Sequence, residues 1–151
     1  MALGTVESVW LELDGQRVAL HVLELGLACC GVEMRAARRM VDGAGGLVAC
    51  GGSDAAGEPD PPGEALHVLV VAGTVTTRLA PVLTAAAARV PQPRAVLAFG
   101  ACTATGGPYW DSYCVVPGAH ELLPVDVWVP GCPPRPADLV AGLREVLRAR
   151  A

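Results

Sequence analysis

"LHVLVVAGTVTTRLAPVLTAAAARVPQPRAVLAFGAC", Leu66 to Cys102, decides the fold. It opens on an apolar, β-branched run, His67 to Gly73, of the kind found in strands buried on both faces. The middle, Thr74 to Val90, reads as a helix that starts near a threonine cap. Pro81 fits that helix only in its first turn. A proline-marked turn then leads into a second apolar run, Ala95 to Gly100. Buried strand, helix, buried strand is the pattern of a parallel sheet.

The same alternation extends in both directions. "VALHVLEL" (Val18 to Leu25) reads as a strand, and "VEMRAARRM" (Val32 to Met40) as a helix of good formers without a breaker. "VDVWVPGC" (Val125 to Cys132) reads as a fourth strand. "PPRPADLVAGLREVLRAR" closes as an amphipathic helix with Leu139, Leu143, Val146 and Leu147 on one face. Residues 1–17 form an N-terminal segment, irregular or hairpin, with a turn signal at Asp14-Gly15. The Gly/Pro-rich stretch 43–64 reads as a loop or insert, with a short strand at "GLVAC" as an option. Ala101 to Pro124 is long and irregular. The expectation is one three-layer α/β domain over 18–151, without internal repeat or second domain.

Composition narrows the function. A net charge of −4 argues against a nucleic-acid binder. The apolar share is 52% against 17% charged, which suggests a surface largely covered by partners. No apolar run approaches the roughly 18 residues of a membrane span. The start, "MALGTVESVWLELDG", lacks a basic signal-peptide region, so the sequence predicts a cytoplasmic-side protein. Six cysteines are many for a reducing compartment, where disulfides are uncommon. They point to a metal or a catalytic role.

Three predicted strands run into glycine and then cysteine: "ELGLACCG", "AFGACT" and "VPGCPP". In a parallel sheet the carboxyl ends of the strands share one edge, where ligand sites form. Cys29, Cys30, Cys102 and Cys132 are therefore expected to converge. Gly26, Gly31, Gly100, Gly106, Gly107 and Gly131 would let backbone, and its N–H groups, approach an inorganic core. Four thiolates suit Zn²⁺ or a [4Fe-4S] cluster. The four lack the paired C-x₂₋₄-C knuckles usual for zinc, and adjacent cysteines suit a core with several irons better than one tetrahedral ion. The bland alternative for each is a buried structural cysteine. For Cys50 and Cys114 that reading, core or loop filler, is preferred.

"GLACCGVEM", "VAGTVTTRLAPVL", "GACTATGGPY" and "PVDVWVPGCPPRP" resemble, in order, the signature blocks of the B subunit of bacterial NADH-quinone oxidoreductase (respiratory complex I). The small subunits of membrane-bound [NiFe] hydrogenases are related. The resemblance runs from about Val18 to Arg148. It implies a flavodoxin-like domain and carries the ligands of one [4Fe-4S] cluster over to Cys29, Cys30, Cys102 and Cys132. It implies a terminal cluster that hands electrons to quinone at the interface with the large, hydrogenase-like subunit. A ferredoxin-like two-cluster subunit and membrane subunits would complete the complex, which couples electron transfer to proton translocation. The chain would sit peripherally on the cytoplasmic face of the membrane and have no independent activity. Adjacent cysteines, where hydrogenase relatives have C-x-x-C, favour the complex I branch. A hydrogenase or formate hydrogenlyase small subunit is the alternative, and a cluster-free or zinc-bound scaffold is a third. The family passes through "RFG"-like and "SPR-x-AD" elements in this region, and the arginine of the second has no counterpart here. Their place holds the acidic, proline-rich Glu58 to Glu64, so the resemblance reaches the cluster site but not the quinone entrance.

Other residues carry paired readings. Glu33 either tunes the cluster, serves a proton path or caps the helix beginning there. Arg35 lines the site or forms a surface ion pair. Met34 touches quinone or packs in the core. His120 is a surface histidine or a proton-coupled one. Asp126, inside a strand, needs partners and anchors a loop through backbone N–H groups. Arg135, in a rigid proline turn, pairs with a partner protein.

Overall fold

The structure, a computed structural model, describes residues 6–25, 29–43, 65–92 and 94–150. The chain opens with a hairpin, β1 (Val6–Leu13) and β2 (Gln16–Leu25), paired antiparallel from Val6↔Leu23 to Leu13↔Gln16. Its two-residue turn has Asp14 at φ 52° and Gly15 at φ 77°. Positive φ at both positions is the turn whose twist suits flanking strands. The N-terminal segment is thus a hairpin strand, in the same sheet as the strands that follow.

Helix α1 (Cys29–Gly43) follows β2 and starts at the tandem cysteines, three residues before Val32. Strand β3 (Leu66–Gly73), helix α2 (Ala80–Arg89) and strand β4 (Arg94–Phe99) complete the predicted strand–helix–strand unit. Helix α2 begins at Ala80, after a turn, rather than near Thr74, and Pro81 falls in its first turn. There a missing N–H costs nothing. A short helix α3 (Ala101–Thr105), two 3₁₀ turns at Gly107–Tyr109 and Ala119–Glu121, strand β5 (Val127–Val129) and helix α4 (Pro136–Arg150) follow.

The sheet runs β1-β2-β3-β4-β5, with β2 to β5 all parallel. In the flavodoxin-like order the place beside the first parallel strand belongs to a second parallel strand. Here the antiparallel β1 takes it, because a two-residue turn leaves it nowhere else to pair. The strand option at "GLVAC" and Cys50 lie outside the described residues, as does most of the Gly/Pro-rich stretch.

The sheet is covered on both faces, because successive side chains in a strand point to opposite sides. Leu20, Val22, Val68, Val70, Leu97 and Phe99 pack on one side against Met34 and Ala37 of α1 and Leu139, Leu143, Val146 and Leu147 of α4. Leu23, Leu25, Leu69, Val71 and Val96 pack on the other against Leu83, Ala86 and Ala87 of α2. The domain is a three-layer α/β fold with an open, mainly parallel sheet. The four α4 residues read from its period are all buried.

Candidate metal centre

The parallel strands bring their carboxyl ends to one edge, and three loops leave that edge carrying thiols. Cys29 and Cys30 open α1, Cys102 is the second residue of α3, and Cys132 follows β5 by three residues. Backbone bonds join the last two loops: Gly100 N–H donates to Val129 O at 2.9 Å and Ala101 N–H to Gly131 O at 2.8 Å. Cys30 and Cys102 are buried, whereas Cys29 and Cys132 are exposed.

The Cys30 thiol reports on its neighbours. Its pKa is pushed up to about 12, first by burial and then by Cys29, Cys102 and Cys132. Every group acting on it is another thiol, and its side-chain hydrogen bond is to Cys29. Cys29, Cys102 and Cys132 each lie close enough to act on Cys30. A buried thiol among thiols, with no cation opposite, holds its proton. Such a donor set becomes thiolate when a positive metal core supplies the missing charge.

Two glycines make the approach possible. Gly100 has φ 98° and ψ 165°, a region essentially open only to glycine. A Cβ there would stand 2.5 Å from Cys30 Sγ. Gly107 has φ 55°, and a Cβ there would stand 2.9 Å from Cys102 Sγ. Soft donors on three loops, with backbone pressed against two of them, fit an iron–sulfur core. Among the described residues no group of three or more Cys, His, Asp or Glu side chains stands where it would hold a metal ion.

Thr103 went unnoticed in the sequence. Its side chain is fully buried, and its hydroxyl donates to Gly73 O at 2.8 Å and reaches Phe99 O at 3.3 Å. It ties the α3 turn that presents Cys102 to the end of β3. The available signal was a hydroxyl next to a cysteine just after a buried strand.

The remaining candidates resolve into structural roles. Glu33 lies beyond the first turn of α1, which holds no acidic residue, so it does not cap the helix. The helix starts at Cys29, earlier than its apolar period indicates. Arg35 pairs with Glu24 at 3.4 Å on the surface, and Met34 is 1% exposed within the core. His120 stacks edge-on against Trp128 and reaches Glu121 at 3.4 Å. Asp126 accepts from Val96 N–H at 2.7 Å, as expected of a loop anchor, but it is exposed and precedes β5 rather than lying inside a strand. Arg135, just before α4, turns to Asp138 in the first turn of that helix, at 3.3 Å. Cys114 is exposed and contacts Ser112, so it is loop rather than core.

Comparison with known proteins matches the same span. The family described as "NADH ubiquinone oxidoreductase, 20 Kd subunit" matches residues 28–146. An NADH-quinone oxidoreductase B subunit of Streptomyces griseus is 41% identical over 129 residues, 85% of this chain and 52% of that protein. The corresponding NADH-quinone oxidoreductase protein of Clostridium beijerinckii is 46% identical over 121 residues, 80% of this chain and 68% of that protein. Among solved structures, a chain of the membrane-bound sulfane sulfur reductase, an archaeal respiratory membrane complex, superposes with a TM-score of 0.50 at 32% identity. That match covers 54% of this chain and 46% of the other. The chain spans about half to two thirds of the length of such relatives, which are components of oxidoreductase complexes. Among the described residues no helix is long and apolar enough to cross a membrane. With the family match running over most of its length, the chain belongs to the family of the 20 kDa subunit of NADH ubiquinone oxidoreductase.

Proposed function

We propose that this chain is an electron-transfer subunit of a complex I-type NADH-quinone oxidoreductase. It would hold one [4Fe-4S] cluster through Cys29, Cys30, Cys102 and Cys132 and pass electrons toward quinone at the interface with a large, hydrogenase-like subunit. The observation that carries the reading is that loops leaving one strand edge bear these four cysteines, with glycine backbone pressed against Cys30 and Cys102. When bound, the cluster supplies reversible one-electron transfer.

The chain's own residues do the rest. Buried Cys30 and Cys102 would hold the inner side and exclude water, while exposed Cys29 and Cys132 would face a partner. Gly100 and Gly107 keep side chains out of the thiol cage, and Thr103 fixes the turn that orients Cys102. No side chain is asked to act as nucleophile. The ferredoxin-like and membrane subunits implied by the family, a peripheral cytoplasmic-side position and coupling to proton translocation belong to the same reading. A membrane-bound redox complex of another type is the second reading, favoured by the likeness to the sulfane sulfur reductase chain. The higher identities to NADH-quinone oxidoreductase subunits weigh for the first.

The test is iron and acid-labile sulfide in the complex purified without oxygen, with low-temperature EPR of the reduced sample. Cys29→Ala is expected to lower the iron and sulfide of the complex by about four atoms each per chain. A normal cubane signal in that variant would undo the ligand assignment, and a well-folded wild-type complex without iron on this chain would undo the function.

A further inference from the structure

Helix α3 has five residues, too few to hold a helix by themselves. The backbone bonds that close it are Ala104 N–H to Gly100 O and Gly106 N–H to Cys102 O, each at 3.1 Å. Two such bonds do not offset the entropy of ordering the turn. Its place is therefore set by what ties it to the sheet. One tie is Ala101 N–H to Gly131 O, on the side of β5 and Cys132. The other is the Thr103 hydroxyl, on the side of β3. Cys102 stands between the two in the sequence.

The β3 tie replaces a ladder bond. Pairing of β3 with β4 ends at Ala72↔Phe99. The next amide, Gly100 N–H, turns away to Val129 O. Gly73 is buried, so its carbonyl needs a donor from within the protein. The Thr103 hydroxyl supplies it at 2.8 Å. Phe99 O, the carbonyl that a helical threonine can bond four residues back, is farther off at 3.3 Å. The shorter bond is thus the one that leaves the helix.

Gly73 carries the tie onward. It is paired with Leu25, the last residue of β2. At φ 109°, a Cβ on Gly73 would stand 3.0 Å from Leu25 O and 3.2 Å from Leu25 C. The two strand ends are pressed together, backbone on backbone. From Leu25 the sequence reaches Cys29 and Cys30 within five residues. The Thr103 hydroxyl therefore joins the turn that carries Cys102 to the strand that leads to Cys30. Cys30 Sγ also lies against Gly100, the residue before α3. Any pivot of α3 changes how Cys30 and Cys102 approach each other.

We infer that Thr103 is a positioning residue for the metal centre: its hydroxyl, bonded to Gly73 O, sets the separation of the two buried thiols, Cys30 and Cys102, and with it the potential and retention of the core they would hold. This rests on the electron-transfer reading and adds to it a side chain outside the ligand set that tunes the centre. Without the hydroxyl, α3 keeps its Gly131 tie alone and pivots about it. Partners one step outside a ligand set change metal affinity by about 10–100-fold. The potential of an iron–sulfur core follows its hydrogen bonding and its exposure to water.

Thr103→Val keeps the shape and removes the hydroxyl, and Thr103→Ser keeps the hydroxyl and removes the methyl. Each is placed in the intact complex, purified without oxygen through a tag on this chain. The EPR signal that Cys29→Ala removes is followed through a redox titration. In Thr103→Val its midpoint potential and g values should move, and its iron should leave to bathophenanthroline disulfonate about tenfold faster. Thr103→Ser should keep the wild-type values. Leu83→Ala, a cut in the core on the α2 side, controls for lost stability. It should lower the melting temperature at least as much and leave the signal in place. One readout needs no iron. In the metal-stripped complex, Cys102 should take iodoacetamide about tenfold faster in Thr103→Val than in wild type, read by peptide mass spectrometry. Potential, iron release and alkylation all unchanged in Thr103→Val overturn the proposal. So does a Thr103→Ser variant that behaves like Thr103→Val, or a Leu83→Ala variant that shifts the signal equally. If Thr103→Val does not assemble, Thr103→Ala is judged by the same readouts. A wild-type chain without iron defeats the electron-transfer reading, and alkylation of Cys102 then decides whether Thr103 places that thiol.

Discussion

Strands β2 and β3 carry polar groups at two places, and the two are built on opposite terms. Low on the sheet, His21 and His67 stack with ring centroids 5.3 Å apart and share an Nε2···Nδ1 hydrogen bond of 3.0 Å. Ser8 of β1 bonds His21 Nδ1 at 2.8 Å, and Trp10 meets His67 edge-on at 5.8 Å. Where the same strands end, the polar groups are thiols, and burial first and then the neighbouring thiols raise the proton affinity of Cys30. The histidine corner completes its hydrogen bonds within the protein, as buried polar groups must. The thiol edge instead brings soft donors against glycine backbone, and a positive metal core would draw such donors into the thiolate form. Internal satisfaction suits structure, and a glycine-lined edge of soft donors suits a metal.

The strongest way to break that contrast is Gly100→Ala. Alanine would occupy a backbone region reserved for glycine and place its Cβ on Cys30 Sγ. Strain and overpacking together should cost about 3 kcal/mol and abolish iron retention. Gly15→Ala is the matched control. Its φ is also positive, at +77°, but a Cβ there meets nothing within 4 Å. It should cost about 1 kcal/mol, the conformational part alone, with full iron content. Equal losses in thermal melts and iron assays would mean that Gly100 is a turn residue and not part of a cradle.

His67→Phe tests the other place. The ring keeps its packing against Trp10 and His21 but removes the hydrogen bond to His21. A loss of about 1–2 kcal/mol in chemical denaturation is expected, with iron, sulfide and EPR signal unchanged. A changed cluster signal would show that the two places are coupled through β2 and β3, contrary to the contrast drawn above.

Much of this was legible beforehand because the deciding signals are local and periodic. Buried strands announce themselves as β-branched runs, and the glycine-cysteine junctions that follow them gather wherever parallel strands end. The order of the junctions therefore puts the four cysteines on loops at one strand edge. Helix starts were less legible. Helix α1 begins on Cys29 and α2 only at Ala80, because tertiary contacts and turns, rather than period, set first residues. The antiparallel β1 beside β2 was half visible in Asp14-Gly15, whose turn type fixes the pairing but not its place in the sheet. The partner of Thr103 and the exposure of Tyr109, Trp110 and Tyr113 were missed for a different reason. A hydroxyl's partner and a ring's exposure are long-range outcomes, and neither has a sequence period.

The smallest effect lies at the junction between the thiol edge and the last helix. Arg135 precedes α4 just past Cys132, and Asp138 reaches back to it. The Asp138 carboxylate accepts the Arg135 backbone N–H at 2.9 Å and meets its guanidinium at 3.3 Å. This is half of a capping box, an acid at the third helical position bonding the cap N–H. The backbone bond first, and then the guanidinium, hold the Asp138 pKa below its ordinary 3.8. A folded pKa below the unfolded one means that the unfolded chain binds the proton more readily. The stabilisation is therefore present above the unfolded value and lost as pH falls through the folded one. The carboxylate is partly exposed, so solvent screens it and the effect is small. Melts of wild type and Asp138→Asn should differ slightly at neutral pH and converge below about pH 4. A gap that persists in acid would assign the difference to side-chain packing instead. The order of events also matters for the contrast between the two places. If acid loosens the start of α4 and iron leaves at the same pH, the cap is part of what holds Cys132 in the cage. If iron stays while the cap is lost, the proline turn at Pro133 and Pro134 holds Cys132 without it.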